Sequence, residues 1–189
     1  SLVDIKDAPI ERLTEAGPTT GGREFEFDAI IFATGFDAMT GSLLRINIEG
    51  RSGLSLREKW AAGPRTYLGL SMADFPNLFT ISGPGSPSVL SNMIVTIEQH
   101  VNWIMDCLNY MRAEALATIE ANTDAEDAWV RQGNELADMT LMPQCNSWYL
   151  GANIPGKARI FMPFVGGIPM YFETCDRVAA NHYEGFTLS

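Results

Sequence analysis

The chain has 189 residues, 46% of them hydrophobic and 19% charged, which excludes a disordered tail, a collagen-like repeat and a low-complexity linker. Thirteen basic residues against 23 acidic ones leave a formal net charge of −10. That balance argues against a nucleic-acid footprint and against docking on anionic lipid, both of which need clustered Lys and Arg. No apolar stretch approaches the ~18–20 residues that a membrane-spanning helix needs. Three cysteines, Cys107, Cys145 and Cys175, form no CxxC pair and are odd in number. Reduced thiols in a cytoplasmic protein are the expectation.

The first forty residues read as strands and turns. Val3, Ile5, Ile10 and Leu13 are scattered among charges, and Gly17-Pro18 and Gly21-Gly22 mark a loop. Phe25 and Phe27 alternate with acids, as on a half-exposed strand. Residues 29–33 are continuously apolar, as in a strand covered on both faces, and the run stops at Thr34-Gly35. Residues 38–77 read as irregular, with a short helix over 56–62. Leu78-Phe79-Thr80-Ile81 is a strand candidate that runs into the turn-rich Ser82-Gly83-Pro84-Gly85-Ser86-Pro87-Ser88.

The clearest helix follows. Ile94, Ile97, Val101, Ile104, Leu108 and Met111 form one apolar stripe at helical spacing, with Ser91 or Asn92 as N-cap. A second helix is expected from about 124 to about 139, capped by Thr123 with Glu126 completing a capping box. Residues 143–169 are rich in Gly, Pro and aromatics. A last helix is expected from about 171 to about 181.

No catalytic constellation stands out. Gly83-x-Gly85-x-x-Ser88 has the outline of a dinucleotide fingerprint but lacks its third glycine, so a pyrophosphate cradle is rejected. Two readings of this stretch stay open: a turn entering a helix, or a wall of a cofactor or substrate site backed by a helix N-terminus. Trp148, among glycines and aromatics, is either a packed loop residue or a stacking face with a hydrogen-bond donor. Lys157 reads as solvated. His100 reads as a surface or capping residue rather than a ligand. No metal-ligand spacing occurs.

Five stretches stand out in order: Phe32-Ala33-Thr34-Gly35-Phe36-Asp37, Lys59-Trp60-Ala61-Ala62-Gly63-Pro64-Arg65-Thr66-Tyr67-Leu68-Gly69, Gly83-Pro84-Gly85-Ser86-Pro87-Ser88, Ile97-Glu98-Gln99-His100-Val101, and Ser147-Trp148-Tyr149 through Gly156-Lys157. Together they resemble the C-terminal part of the flavin-dependent Baeyer–Villiger monooxygenases, the group of phenylacetone, cyclohexanone and steroid monooxygenases. The resemblance covers the whole chain. It implies an α/β fold: the C-terminal half of a discontinuous Rossmann-like FAD-binding domain over 38–189, plus the closing strands of an NADP-binding domain and a hinge at Asp37 over 1–37. It further implies FAD and NADPH as cofactors, O₂ and a small apolar ketone as substrates, and an ester or lactone as product.

Carried over by residue, Ser88, Val89, Leu90 and Met93 match the ketone pocket within the segment 82–93. Met93 also matches a backbone contact to the flavin. Trp148 matches an NADP-holding Trp on a mobile loop over about 143–160. The family's FAD and NADP glycine motifs, its His-containing signature and its catalytic Arg do not occur here. The resemblance therefore places them in an N-terminal part of the same polypeptide and implies that this chain alone is inactive. Phe172 stands where relatives tend to carry Arg, and Val89 where Ala is expected. The alternatives are a flavin monooxygenase that oxidises N or S atoms, and a stand-alone non-catalytic piece.

Overall fold

The computed structural model describes residues 2–33 and 35–189; Ser1 and Thr34, where the apolar run was expected to stop, lie outside them. The chain divides into two compact units, residues 1–35 and 36–189. Both helix and strand are present, so the fold is mixed α and β.

The first unit holds a small antiparallel sheet in the order β1 (Ile10–Leu13), β2 (Pro18–Thr20), β3 (Arg23–Glu24). Ile10 faces Thr20 and Leu13 faces Pro18, and Thr20 faces Arg23 across the Gly21-Gly22 turn. The expected buried strand over 29–33 is not formed. Ile31 is 90% and Phe32 69% exposed, and the segment joins no ladder. A strand buried on both faces needs a neighbour on each edge and cover above and below. The three strands of this unit supply neither among the described residues.

The second unit is organised around two apolar clusters. The larger gathers Leu68, Leu70, Trp103, Cys107, Ile119, Trp129, Phe164, Tyr171, Val178 and Phe186; the smaller gathers Leu56, Trp60, Met72 and Phe75. After the short α1 (Gly41–Leu44), α2 (Leu56–Lys59) opens on a capping box in which Ser55 Oγ accepts from Glu58 N–H and Glu58 reaches back to the Ser55 amide. The expected strand over 78–81 is a single crossing segment, pinned by the Thr80 amide on Leu70 O at 2.8 Å rather than by a partner strand.

Helix α3 (Met93–Ala113) has its N-cap at Asn92, whose Oδ1 accepts from the Ile94 and Val95 amides. Its buried face differs from the expected stripe. Thr96, His100, Trp103, Cys107 and Met111 point inward, whereas Ile94 is 66% exposed and Val101 and Leu108 are exposed as well. The helix is thus turned by about one residue, or ~100°, from the apolar-stripe expectation. Trp103 explains the choice. It buries more surface than an aliphatic residue, and its indole N–H finds Cys175 O at 3.0 Å.

Strands β4 (Ile119–Ala121) and β5 (Phe186–Leu188) pair antiparallel, Ile119 with Leu188 and Ala121 with Phe186. At three residues each they are too short to show a period in the sequence. Helix α4 (Thr123–Asp138) has Asn122 at its N-cap position without a side-chain capping bond, and the expected Thr123–Glu126 capping box is absent. Glu126 is fully buried instead, accepting from Lys59 Nζ at 2.8 Å and the Ala73 amide at 3.3 Å. Helix α5 (Gly167–Ala180) starts four residues earlier than expected, with Pro169 in its first turn where a missing N–H costs nothing. All three thiols are free, Cys107 and Cys175 buried and Cys145 exposed. Among the described residues, no helix is long and apolar enough to cross a membrane.

Candidate functional site

The turn-rich stretch before α3 is held by its own protein rather than left open to a phosphate. The Gly85 amide donates to Met162 O at 2.7 Å and the Ser86 amide to Gly83 O at 3.1 Å. Pro84 O accepts from Thr66 Oγ1 at 2.6 Å, and Gly85 O accepts from Trp129 Nε1 at 2.9 Å. Its two ends, Ser82 at φ 54° and Ser88 at φ 46°, lie in the left-handed region. Such a conformation costs a non-glycine residue about 1–2 kcal/mol and persists only where the surroundings enforce it.

At Ser82 the enforcing group is His100. The Ser82 amide donates to His100 Nδ1 at 2.9 Å, which leaves the ring proton on Nε2 to be donated to Tyr171 Oη at 2.8 Å. Tyr171 Oη donates in turn to Leu68 O at 2.6 Å. His100 is fully buried, and burial lowers its pKa from 6.5 to about 4, so the ring is neutral at pH 7. The expectation of a surface or capping histidine is therefore corrected. Both ring nitrogens are satisfied, which is what makes burial tolerable.

The residues expected to line a ketone pocket follow directly. Residues Ser88–Leu90 form a 3₁₀ turn that leads through Ser91 to the Asn92 cap. Ser88 is buried, Leu90 and Met93 are half-buried and Val89 is 38% exposed. Ser91 Oγ ties the turn to the helix, donating to Ser88 O at 2.9 Å and lying 2.9 Å from Thr96 Oγ1. Because the Asn92 side chain serves Ile94 and Val95, the Met93 amide is left without an acceptor among the described residues. A free first-turn N–H beside apolar side chains fits a flavin ring edge, which needs a donor and a dry face.

Trp148 opens a second 3₁₀ turn, Trp148–Leu150, whose cap Ser147 accepts from the Tyr149 amide at 3.2 Å. Its ring lies 4.3 Å from that of Tyr149, and the residue is 37% exposed. The other three tryptophans donate their indole N–H to backbone carbonyls: Trp60 to Arg65, Trp103 to Cys175 and Trp129 to Gly85. The Trp148 N–H has no such acceptor among the described residues. A half-exposed ring with a free donor fits a nucleotide, which offers oxygen acceptors and a flat base.

No hydrogen bond links the two segments among the described residues. A cleft of about 750 Å³, lined by Tyr67, Asp74, Asn122, Trp129, Arg177 and Glu184, contains neither Ser88–Met93 nor Trp148. No group of three or more His, Cys, Asp or Glu among the described residues is arranged to hold a metal. Phe172 packs half-buried on the larger core, 6.3 Å from the Tyr171 ring. Lys157, expected to be solvated, is instead paired with Asp37 and donates to Thr40 Oγ1 at 2.7 Å. Single-sequence reasoning missed that pair, because 120 residues separate its members.

No protein-family model matches the chain. Curated relatives match along its whole length. Acetone monooxygenase (methyl acetate-forming) of Gordonia sp. (strain TY-5) is 42% identical over 100% of this chain and 36% of its own length. A Baeyer–Villiger monooxygenase of Pseudooceanicola batsensis is 42% identical over 99% of this chain and 34% of its own. Phenazine N-monooxygenase PhzNO1 of Lysobacter antibioticus is 38% identical over 100% and 35%. Among solved structures, oxidized steroid monooxygenase bound to NADP superposes with a TM-score of 0.89 at 48% identity, covering 100% of this chain and 35% of that one. OTEMO in complex with FAD and NADP superposes with a TM-score of 0.92 at 37% identity, over 99% and 34%. From end to end, then, the chain matches a segment that makes up about a third of each of these monooxygenases, a Baeyer–Villiger monooxygenase among them.

Proposed function

We propose that this chain is the C-terminal segment of an NADPH- and O₂-dependent flavoprotein monooxygenase that converts small apolar ketones to esters or lactones. The observation that carries the reading is the end-to-end match, at 42% identity, to an acetone monooxygenase that forms methyl acetate. FAD, when bound, supplies the redox chemistry, accepting hydride from NADPH and activating O₂. Residues 38–189 belong to the FAD-binding domain and residues 1–37 to the closing strands of the NADP-binding domain and the hinge. The remainder of the machinery, including the catalytic Arg, lies on the N-terminal part of the same polypeptide, so this segment alone is inactive. The three free thiols fit a reducing compartment such as the cytoplasm.

Within that reading, each residue has a physical task. Val89, Leu90 and Met93 present apolar surface that keeps water from the reacting centre and accommodates the ketone. The Met93 amide donates to the flavin ring. The Trp148 ring covers the nicotinamide nucleotide and its indole N–H donates to it. His100 holds Ser82 from behind and keeps the stem of the pocket segment in its left-handed turn.

Oxidation of a nitrogen or sulfur atom is the second reading, favoured by the 38% identity to a phenazine N-monooxygenase. Product analysis separates the two. The flavin-loaded full-length protein is given NADPH, O₂ and either a ketone or an aromatic N-heterocycle, and an ester or lactone from the ketone is expected. An N-oxide with no ester would overturn the Baeyer–Villiger assignment. Trp148→Ala is expected to raise the NADPH requirement and harm oxygenation more than FAD content. Unchanged NADPH kinetics would remove Trp148 from the site.

A further inference from the structure

Three observations converge on Lys157. Its ammonium is paired with the Asp37 carboxylate, and the two side chains are only 16% and 25% exposed. The same ammonium donates to Thr40 Oγ1 at 2.7 Å, and Thr40 is 1% exposed and hydrogen-bonded to Asp37 Oδ1 at 3.3 Å. Asn153 Nδ2 donates to Phe36 O at 2.9 Å, so the loop that ends at Lys157 meets the 36–40 segment at two places. Arg57, the other cation lining the cleft around Asp37, Thr40 and Lys157, donates to Leu44 O instead and does not compete for Asp37.

The backbone is shaped around this pair. The Lys157 stem lies across Gly151, where a Cβ would come within 2.9 Å of Lys157 Cδ, and Gly151 sits at φ 71°. Asp37 lies against Gly41, where a Cβ would come within 2.6 Å of Asp37 Cβ. Each partner is thus seated on a glycine that a larger residue would displace. The turn that carries Trp148 is joined to Lys157 by successive hydrogen bonds: the Gly151 amide to Trp148 O, the Ile154 amide to Gly151 O and the Lys157 amide to Ile154 O, at 3.0, 3.1 and 3.3 Å.

We propose that Lys157 is a positioning residue, whose ion pair with Asp37 anchors the 147–157 loop on the 36–40 segment and so fixes where Trp148 is presented. The role of Trp148 rests on the function proposed above; the anchoring of the loop does not. A half-buried pair that also has a hydroxyl partner holds its geometry better than an exposed one, because less solvent competes for the charges.

The test uses Lys157→Met, which keeps the stem and loses the charge, with Lys157→Arg as the conservative rescue and Asp37→Asn as the reciprocal variant. Hydrogen–deuterium exchange is read at the Gly151, Ile154 and Lys157 amides. Exchange there is expected to quicken roughly three- to tenfold in Lys157→Met and in Asp37→Asn, to be no faster in the double variant than in the worse single one, and to return towards wild type in Lys157→Arg. In the flavin-loaded full-length protein the NADPH KM is expected to rise severalfold in Lys157→Met with FAD content unchanged. Unchanged exchange in Lys157→Met, or additive effects in the double variant, overturns the anchor. Altered exchange with unchanged NADPH KM overturns its control of Trp148. A full-length wild-type polypeptide, FAD-loaded but without NADPH-dependent oxygenation, overturns the functional reading alone, and the exchange data still judge the anchor.

Discussion

Two apolar runs of this chain end in opposite environments. Residues 29–33 look like a core strand, yet Ile31 and Phe32 are exposed and the segment pairs with nothing among the described residues. Residues 67–73 carry a glycine and a serine and form only an isolated bridge between Tyr67 and Ser71, yet Leu68, Leu70 and Met72 are fully buried. The difference lies in what surrounds each run. The second is covered by α3, α4 and α5 through Trp103, Trp129 and Tyr171 around Leu68 and Leu70, and by Leu56, Trp60 and Phe75 around Met72, and its backbone is satisfied by Thr80 and by Tyr171 Oη. Hydrophobicity supplies the drive for burial, but neighbours from elsewhere in the chain decide whether it is met.

The largest effect that would sharpen this contrast comes from Phe164, which is 1% exposed and stacked on Trp129 with centroids 4.8 Å apart. Phe164→Ala is expected to cost about 3–5 kcal/mol by urea unfolding, the usual range for emptying an aromatic core site.

His100 gives the next effect. Its pKa falls from 6.5 to about 4 in the fold. Between those values the unfolded chain binds a proton that the folded one refuses, so stability is full above pH 6.5 and declines as pH falls towards 4. The decline amounts to about 3 kcal/mol. Denaturant midpoints at pH 6.5 and 4.5 should separate more in the wild type than in His100→Asn; equal separation would mean that His100 is not buried neutral.

Glu126→Gln strands Lys59, which is 11% exposed, beside a neutral amide. An expected loss of about 2–3 kcal/mol follows, smaller than for a fully buried pair because Lys59 keeps some water and Asp74 lies 3.8 Å away. The smallest effect belongs to the exposed run: Phe32→Ala should stay within about 0.5 kcal/mol of wild type. A loss as large as that of Phe164→Ala would mean that residues 29–33 are buried in solution.

Much of the local structure was legible in the residues themselves. The extent of α3 and its Asn92 cap follow from spacing and from a side chain suited to orphan amides. The turn-rich character of 82–88 follows from Gly, Pro and Ser. The ordered landmarks from Phe32 to Lys157 point to a family, and relatives along the whole chain bear that out. The short β4–β5 ribbon was not legible, because three residues per strand carry no period. Nor was the His100–Tyr171–Leu68 relay, whose members come from three separate stretches.

The sequence by itself determined where the three long helices form and where the chain turns, though not the short α1, because an α-helix is closed by hydrogen bonds four residues apart and by caps next to them. It did not determine which face of α3 is buried, whether Glu126 caps its own helix or crosses to Lys59, or whether Lys157 meets water or Asp37. Those choices compare a local partner with one 67, 72 or 120 residues away. Only the tertiary structure brings the distant partner within reach and removes the water that would otherwise take its place.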